Sequence, residues 1–166
     1  MANFKHWLGN LFIDKEMKQR LDFFSKVSIF EGLAKNVIGK LVTIMYRRTY
    51  EPGEVICSEG EVGKALFIVM SGEVAITRKP GMLREEKVLA TMESGDFFGE
   101  KALLEEKPRT YAAKAITKSE IYIVYKANFD GMIEKDPRIG LQVIRNISVI
   151  LCSSLRCMME EENKGG

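Results

Sequence analysis

Between Tyr46 and Glu100 the chain is cut into short pieces by Pro52-Gly53, Gly60, Gly63, Ser71-Gly72, Pro80-Gly81 and Ser94-Gly95. Glycine reaches backbone angles that other residues avoid, and proline lacks the donor that helices and central strands need. No long helix fits between such breaks. What remains is a series of strand-like runs at intervals of about 8–12 residues, the pattern of an all-β sandwich or barrel. "ALFIVM" (65–70) reads as a central strand. "EVAIT" (73–77) alternates polar and apolar residues and starts two residues later, so Ser71-Gly72 is expected to close a hairpin. "KVLATM" (87–92), "YAAKAI" and "SEIYIVY" (119–125) complete the series.

The flanks have a different period. "KEMKQRLDFFSKV" (15–27) sets Met17, Leu21, Phe24 and Val27 at helical spacing, and "AKNVIGKLVTIMY" does the same with Val37, Ile38, Leu41, Ile44 and Met45. After the strands, "KANFDGMIEK" is a short helix candidate. Asp136-Pro137 reads as an N-cap followed by proline at the first helical position. The last helix presents Leu141, Ile144, Ile147, Leu151, Leu155 and Met158 at three- and four-residue spacings, and the tail "EEENKGG" is expected to fray. The chain therefore divides into an N-terminal helical segment (1–45), a β core (46–125) and C-terminal helices with a tail (126–166). The fold class is mainly β with flanking helices.

Composition removes several function classes. A net charge of +2 with no dense Lys/Arg cluster argues against nucleic-acid binding. The single histidine, His6, rules out a histidine-rich metal site and disfavours Ser–His or Cys–His nucleophile pairs. Three cysteines (Cys57, Cys152 and Cys157) form no CxxC and no even framework, and no secretory signal is evident, so a reducing cytosol is expected. Residues 139–159 are apolar but interrupted by Arg145, Asn146 and Arg156, so stable membrane insertion is not expected. "FKHWLGNLFI" (4–13) is read as packing on the domain or a partner rather than lying on a membrane.

The chemistry concentrates in "DFFGEKALLEEKPRTYAAKA" (96–115). Gly99 precedes a run of good helix formers, and a single helical turn there aims free N–H groups where they favour an anion. Pro108 ends the loop, and Arg109 follows as the expected start of the next strand. A guanidinium is permanently charged and suited to gripping two phosphate oxygens. Thr110 adds a hydroxyl, and an ionised Glu100 accepts hydrogen bonds, as from a sugar hydroxyl. On residues alone two readings stand: an internal Glu100–Arg109 ion pair, or a cradle for a phosphate attached to a ribose.

"FGEKALLEEKPRT" resembles the phosphate-binding cassette of the cyclic-nucleotide-binding domain family, with Phe98, Gly99, Glu100, Ala102, Leu103 and Arg109 in register. "YEPGEVICSEGEVGKALFIVMSGEVAIT" resembles that family's opening strands, and the likeness covers roughly residues 27–160. The resemblance implies a β-roll of jelly-roll type carrying the cassette between two strands, with helices on both sides. It places Gly99, Glu100, Lys101, Ala102, Arg109 and Thr110 at the ligand, cAMP or cGMP. Arg109 would pair with the cyclic phosphate and Glu100 would accept the ribose 2′-hydroxyl. Backbone N–H groups near Gly99 and Ala102 would assist, and Leu103 and Leu104 would anchor the turn. Thr110 would lie near the phosphate or, in cGMP-selective members, near the guanine amino group. Tyr111 departs from the family, which often has a small residue there. On a strand it points opposite to Thr110, into the core or outward, unless it leans into the pocket and crowds the nucleotide.

The resemblance also implies that the 138–160 helix either folds over the base as a lid or forms a homodimer seam, with packing on its own barrel as the plain alternative. No helix-turn-helix, kinase glycine loop or channel span is seen, so output is expected to fall on a separate effector protein. No metal, cofactor or catalysis is expected. The competing function is a non-binding member of the fold that serves in protein–protein contact.

Overall fold

The computed structural model describes residues 15–79 and 86–164. His6, the 4–13 segment and the Pro80-Gly81 turn lie outside them. Helix α1 runs through residues 15–24, a 3-10 turn follows at Ser28–Phe30, and α2 spans Lys35–Val42. Eight strands come next: β1 (Tyr46–Tyr50), β2 (Val55–Cys57), β3 (Ala65–Ser71), β4 (Val74–Arg78), β5 (Lys87–Met92), β6 (Phe97–Phe98), β7 (Ala112–Ala115) and β8 (Ser119–Tyr125). A 3-10 turn at Glu100–Leu103 sits between β6 and β7. Helices α3 (Lys126–Lys135) and α4 (Pro137–Lys164) close the chain.

The strands form two four-stranded antiparallel sheets, ordered β1-β8-β3-β6 and β2-β7-β4-β5, facing each other as a β-roll. Alternation along β3 explains why "ALFIVM" is apolar throughout. Ala65, Phe67 and Val69 point between the sheets, whereas Leu66 and Ile68 point to the helices. β8 does the same, with Ile121 and Ile123 inward and Tyr122 and Val124 toward α1, α3 and α4. The first sheet is thus covered on both faces, and Phe24, Ile38, Phe129, Val143 and Ile147 complete its helical cover.

Three expectations change. Ser71-Gly72 is not a hairpin: β3 pairs with β6 and β8, β4 pairs with β5 and β7, and the turn carries the chain from one sheet to the other. Gly72 makes this crossover at φ +89, so close over Ser119 that an added Cβ would lie 2.6 Å from its Cα. The buried stripe of α4 is Ile139, Val143 and Ile147, with Ile144, Ile150 and Leu151 partly covered, while Leu141, Leu155 and Met158 are exposed. The helix also continues through Lys164, past the point where fraying was expected.

Residues Pro137–Glu160 of α4 are long and apolar enough to cross a bilayer, with a mean hydropathy of 1.2 over their most apolar window. Their first half is nevertheless tied to protein. Asn146 Nδ2 donates to the carbonyls of Ile29 (3.0 Å) and Glu31 (2.9 Å), and Lys40 Nζ donates to Asp136 Oδ2 (3.2 Å) where α3 meets α4. Proline stands at the first position of α4 as expected. The Asp136 carboxylate takes Lys40, and the Asp136 carbonyl accepts the Ile139 N–H.

Candidate anion-binding site

The segment from Gly99 to Tyr111 is held against β3 and against the loop before it. Gly99 sits at φ +80, a left-handed angle that a side chain resists. An added Cβ there would lie 2.8 Å from the Ala65 carbonyl oxygen and 2.8 Å from Arg109 Nη1. The chain then turns through Glu100–Leu103, with the Ala102 N–H donating to the Gly99 carbonyl at 3.0 Å. That N–H is therefore engaged inside the turn. The turn's opening N–H groups, on Glu100 and Lys101, are those that a helical start leaves without an intrahelical partner. Leu103 anchors the turn in the core, but Leu104 is exposed.

Arg109 precedes the strand rather than beginning it, since β7 starts at Ala112. Its backbone is fixed on both sides: the N–H donates to the Glu61 carbonyl and the carbonyl accepts the Gly60 N–H, each at 2.8 Å. Val62 and Pro108 form a bridge beside them, and the Gly63 N–H donates to the Lys107 carbonyl at 3.0 Å. The spaced glycines of "EGEVGK" thus let one loop lie flat against the arginine.

The guanidinium is partly buried. Nη2 donates to the Ala65 carbonyl at 2.9 Å, and Cζ stands 5.2 Å over the Phe67 ring. Phe67 is itself stacked on Phe98 at 5.0 Å. Nε is buried without a hydrogen-bond partner. Among the described residues no carboxylate comes within 4 Å of Arg109, so the Glu100–Arg109 ion pair does not form. A buried charge without a counter-ion is costly. Here it faces a cavity of about 150 Å³ lined by Lys101, Lys107, Arg109 and the single carboxylate Glu105, together with Gly63, Gly99, Ala102 and Thr110. Glu105 is engaged with Lys107 at 2.9 Å. The wall is cationic, and what it favours is an anion.

Glu100 lines a different cavity, of about 260 Å³, with Phe97, Phe98, Ile76, Met92 and, from α4, Ile150 and Ser154. Tyr111 belongs to both cavities. Burial first, and the neighbouring Glu100 second, push its phenol up to about 12.

A sequence model described as the cyclic nucleotide-binding domain matches residues 47–136. The chain belongs to that family. It is 39% identical over 92 residues to the cGMP-dependent protein kinase egl-4 of Caenorhabditis elegans, covering 55% of this chain and 12% of the kinase. With the cAMP-dependent protein kinase regulatory subunit of Yarrowia lipolytica it shares 35% over 111 residues, covering 67% and 28%. With the cyclic AMP receptor protein of Thermus thermophilus it shares 30% over 128 residues, covering 77% and 57%. This chain therefore spans only part of the relatives' length. The crystal structure of the Thermus thermophilus catabolite activator protein superposes with a TM-score of 0.73 at 29% identity, over 82% of this chain and 62% of that one.

Within this cyclic nucleotide-binding domain, Gly99, Lys101, Ala102, Arg109 and Thr110 come together around one cavity, with Thr110 at its exposed rim. Glu100 opens into the next. Sequence reasoning missed Gly63, Lys107, Ile150 and Ser154. Gly63 was visible only as a turn signal, and the two α4 residues are placed by tertiary packing alone.

Proposed function

We propose that this chain is a regulatory sensor that binds cAMP or cGMP and passes the change to a partner protein through α4. The observation that carries the reading is Arg109: a guanidinium held by a carbonyl and an aromatic face, with no carboxylate of the described residues within 4 Å, lining a cationic cavity. In this reading Arg109 grips the cyclic phosphate, assisted by the N–H groups opening the turn, and Glu100 accepts the ribose 2′-hydroxyl. Both kinds of named relative are found, cGMP-dependent and cAMP-dependent, so the choice of base is left to the titration.

The role is regulatory rather than catalytic, and three free thiols fit a reducing cytosol. The exposed apolar residues of α4 (Val149, Leu155, Met158 and Met159) offer a surface for an effector or for a second copy meeting at residues 138–160. The alternative, a domain that contacts proteins without nucleotide, draws on one observation: Tyr111 lines the cavities of both Arg109 and Glu100.

The test is calorimetric titration of cAMP and of cGMP into protein unfolded, stripped of co-purified nucleotide and refolded. Micromolar or tighter binding of either supports the sensor. Removing one partner of a buried charge pair costs about 3–5 kcal/mol, so Arg109→Ala is expected to lose about 2–3.5 decades of affinity. Unchanged affinity in a folded Arg109→Ala protein refutes the assignment.

A further inference from the structure

Arg109 and Glu100 open into separate cavities, and the side chain common to both is Tyr111. Pockets for small organic ligands enclose roughly 300–1,000 Å³. The two cavities, about 150 and 260 Å³, each fall short of that range and reach it only when joined. A ligand whose phosphate meets Arg109 and whose hydroxyl meets Glu100 has to pass through the ground where the Tyr111 ring stands.

The ring is not loose surface. It packs against the cluster between the sheets that contains Cys57, Phe67, Phe98 and Ala113. Protein interiors are close-packed, so a ring turning further inward would overpack that cluster. Of the two cavities that Tyr111 lines, the larger includes Ile150 and Ser154 of α4. Ionisation does not assist the movement, because a phenol at about 12 stays neutral at physiological pH.

The geometry points to Tyr111 as a gate inside the site: its ring divides the Arg109 lobe from the Glu100 lobe, and a nucleotide bridging them binds only when the ring turns toward α4. This deepens the nucleotide-binding reading and rests on it. Two consequences follow from the placement. Apparent affinity falls by the fraction of molecules with the gate open, so an open arrangement populated at no more than about 10% weakens binding at least about tenfold. The displaced ring then shares the Glu100 lobe, bounded by Ile150 and Ser154, with the incoming nucleotide, so opening the gate crowds that space and presses on the helix that is proposed to transmit the signal.

The experiment compares the wild-type chain with Tyr111→Val, which keeps an apolar side chain without the ring, and with Tyr111→Phe, which keeps the ring. Calorimetry gives the affinity for cAMP and cGMP, and stopped-flow gives the association rate. Tyr111→Val is expected to bind at least tenfold tighter, with the gain in the association rate, and Tyr111→Phe not to reproduce it. Tyr111→Thr replaces the valine variant if that one does not fold. If the ringless variant binds no better than a wild type that binds, the gate is overturned while the sensor reading stands. If no variant binds either nucleotide, both fall together.

Discussion

Gly99→Ala is the sharpest probe of how the site is held. At φ +80 a residue with a Cβ incurs about 1–2 kcal/mol of left-handed strain. The alanine recovers about 0.4–1 kcal/mol by restricting the unfolded chain. Those terms nearly offset. The contact term does not, because the new methyl would lie 2.8 Å from the Ala65 carbonyl oxygen and 2.8 Å from Arg109 Nη1. Ala65 belongs to β3, which is paired with β8 on one side and β6 on the other, so its carbonyl has little freedom to retreat. Arg109 is the part that moves, and with it the 2.9 Å bond from Nη2 to that same carbonyl.

Forced overpacking costs about 1–3 kcal/mol, so the variant is expected to lose about 2–4 kcal/mol of stability together with most of its nucleotide affinity. Gly95→Ala is the control: φ is +96 but nothing lies within 4 Å of the new Cβ. It shares the backbone strain and lacks the collision, so it should lose no more than about 1.5 kcal/mol. Urea unfolding of both variants reads the difference directly. Equal losses would mean that close approach at Gly99 is not what positions Arg109.

Two further outcomes bear on the packing around the site. The Tyr111 phenol, raised to about 12, keeps its proton in the folded state after the unfolded phenol, near 10, has lost it. Its contribution to stability is whole below about pH 10 and is lost between about 10 and 12, by at most about 2 kcal/mol given its partial exposure. Alkaline unfolding followed by circular dichroism should therefore be less steep in Tyr111→Phe than in the wild type. Gly140→Ala should destabilise, although alanine favours helix by about 1 kcal/mol. Its Cβ would sit 2.3 Å from Ile133 Cγ1 and 3.1 Å from Cγ2, branches that cannot both withdraw. A lowered melting temperature checks it, and a raised one would show that α3 and α4 separate freely.

Local signals were legible and long-range ones were not. "KVLATM", "SEIYIVY" and "KANFDGMIEK" each coincide with an element, because turn residues and apolar period mark an element from within. Pairing carries no such mark. β3 lies about fifty residues from β8, and only the fold shows that "ALFIVM" and "EVAIT" sit in different sheets. The α4 stripe failed for a related reason: a helix apolar on several faces does not declare which one its own barrel takes, and Asn146, reaching two carbonyls near the N-terminus, settles it. At the site, Gly99 and Arg109 were readable because their chemistry is local to one loop. The absence of a Glu100–Arg109 pair was not, since it depends on the Ala65 carbonyl and the Phe67 face. Strand parity would set Tyr111 opposite to Thr110, but the strand begins only at Ala112; both residues line the Arg109 cavity, and the sequence could not say where the ring lies.

That last ambiguity bears on how the domain would signal. A ligand shifts an equilibrium only by the difference in its affinity for two arrangements. Among the described residues the 150 Å³ cavity around Arg109 includes none of α4, so an anion confined to it has no means of favouring one position of the helix over another. The Glu100 cavity includes Ile150 and Ser154, and these lie beyond Ile147, the last fully buried residue of α4 among the described residues. Phosphate binding and helix response, on the proposed function, are thus separated in space, with Tyr111 lining both cavities. On the proposed function, inorganic phosphate occupies the first cavity without moving α4. A cyclic nucleotide, by displacing Tyr111, is what reaches both.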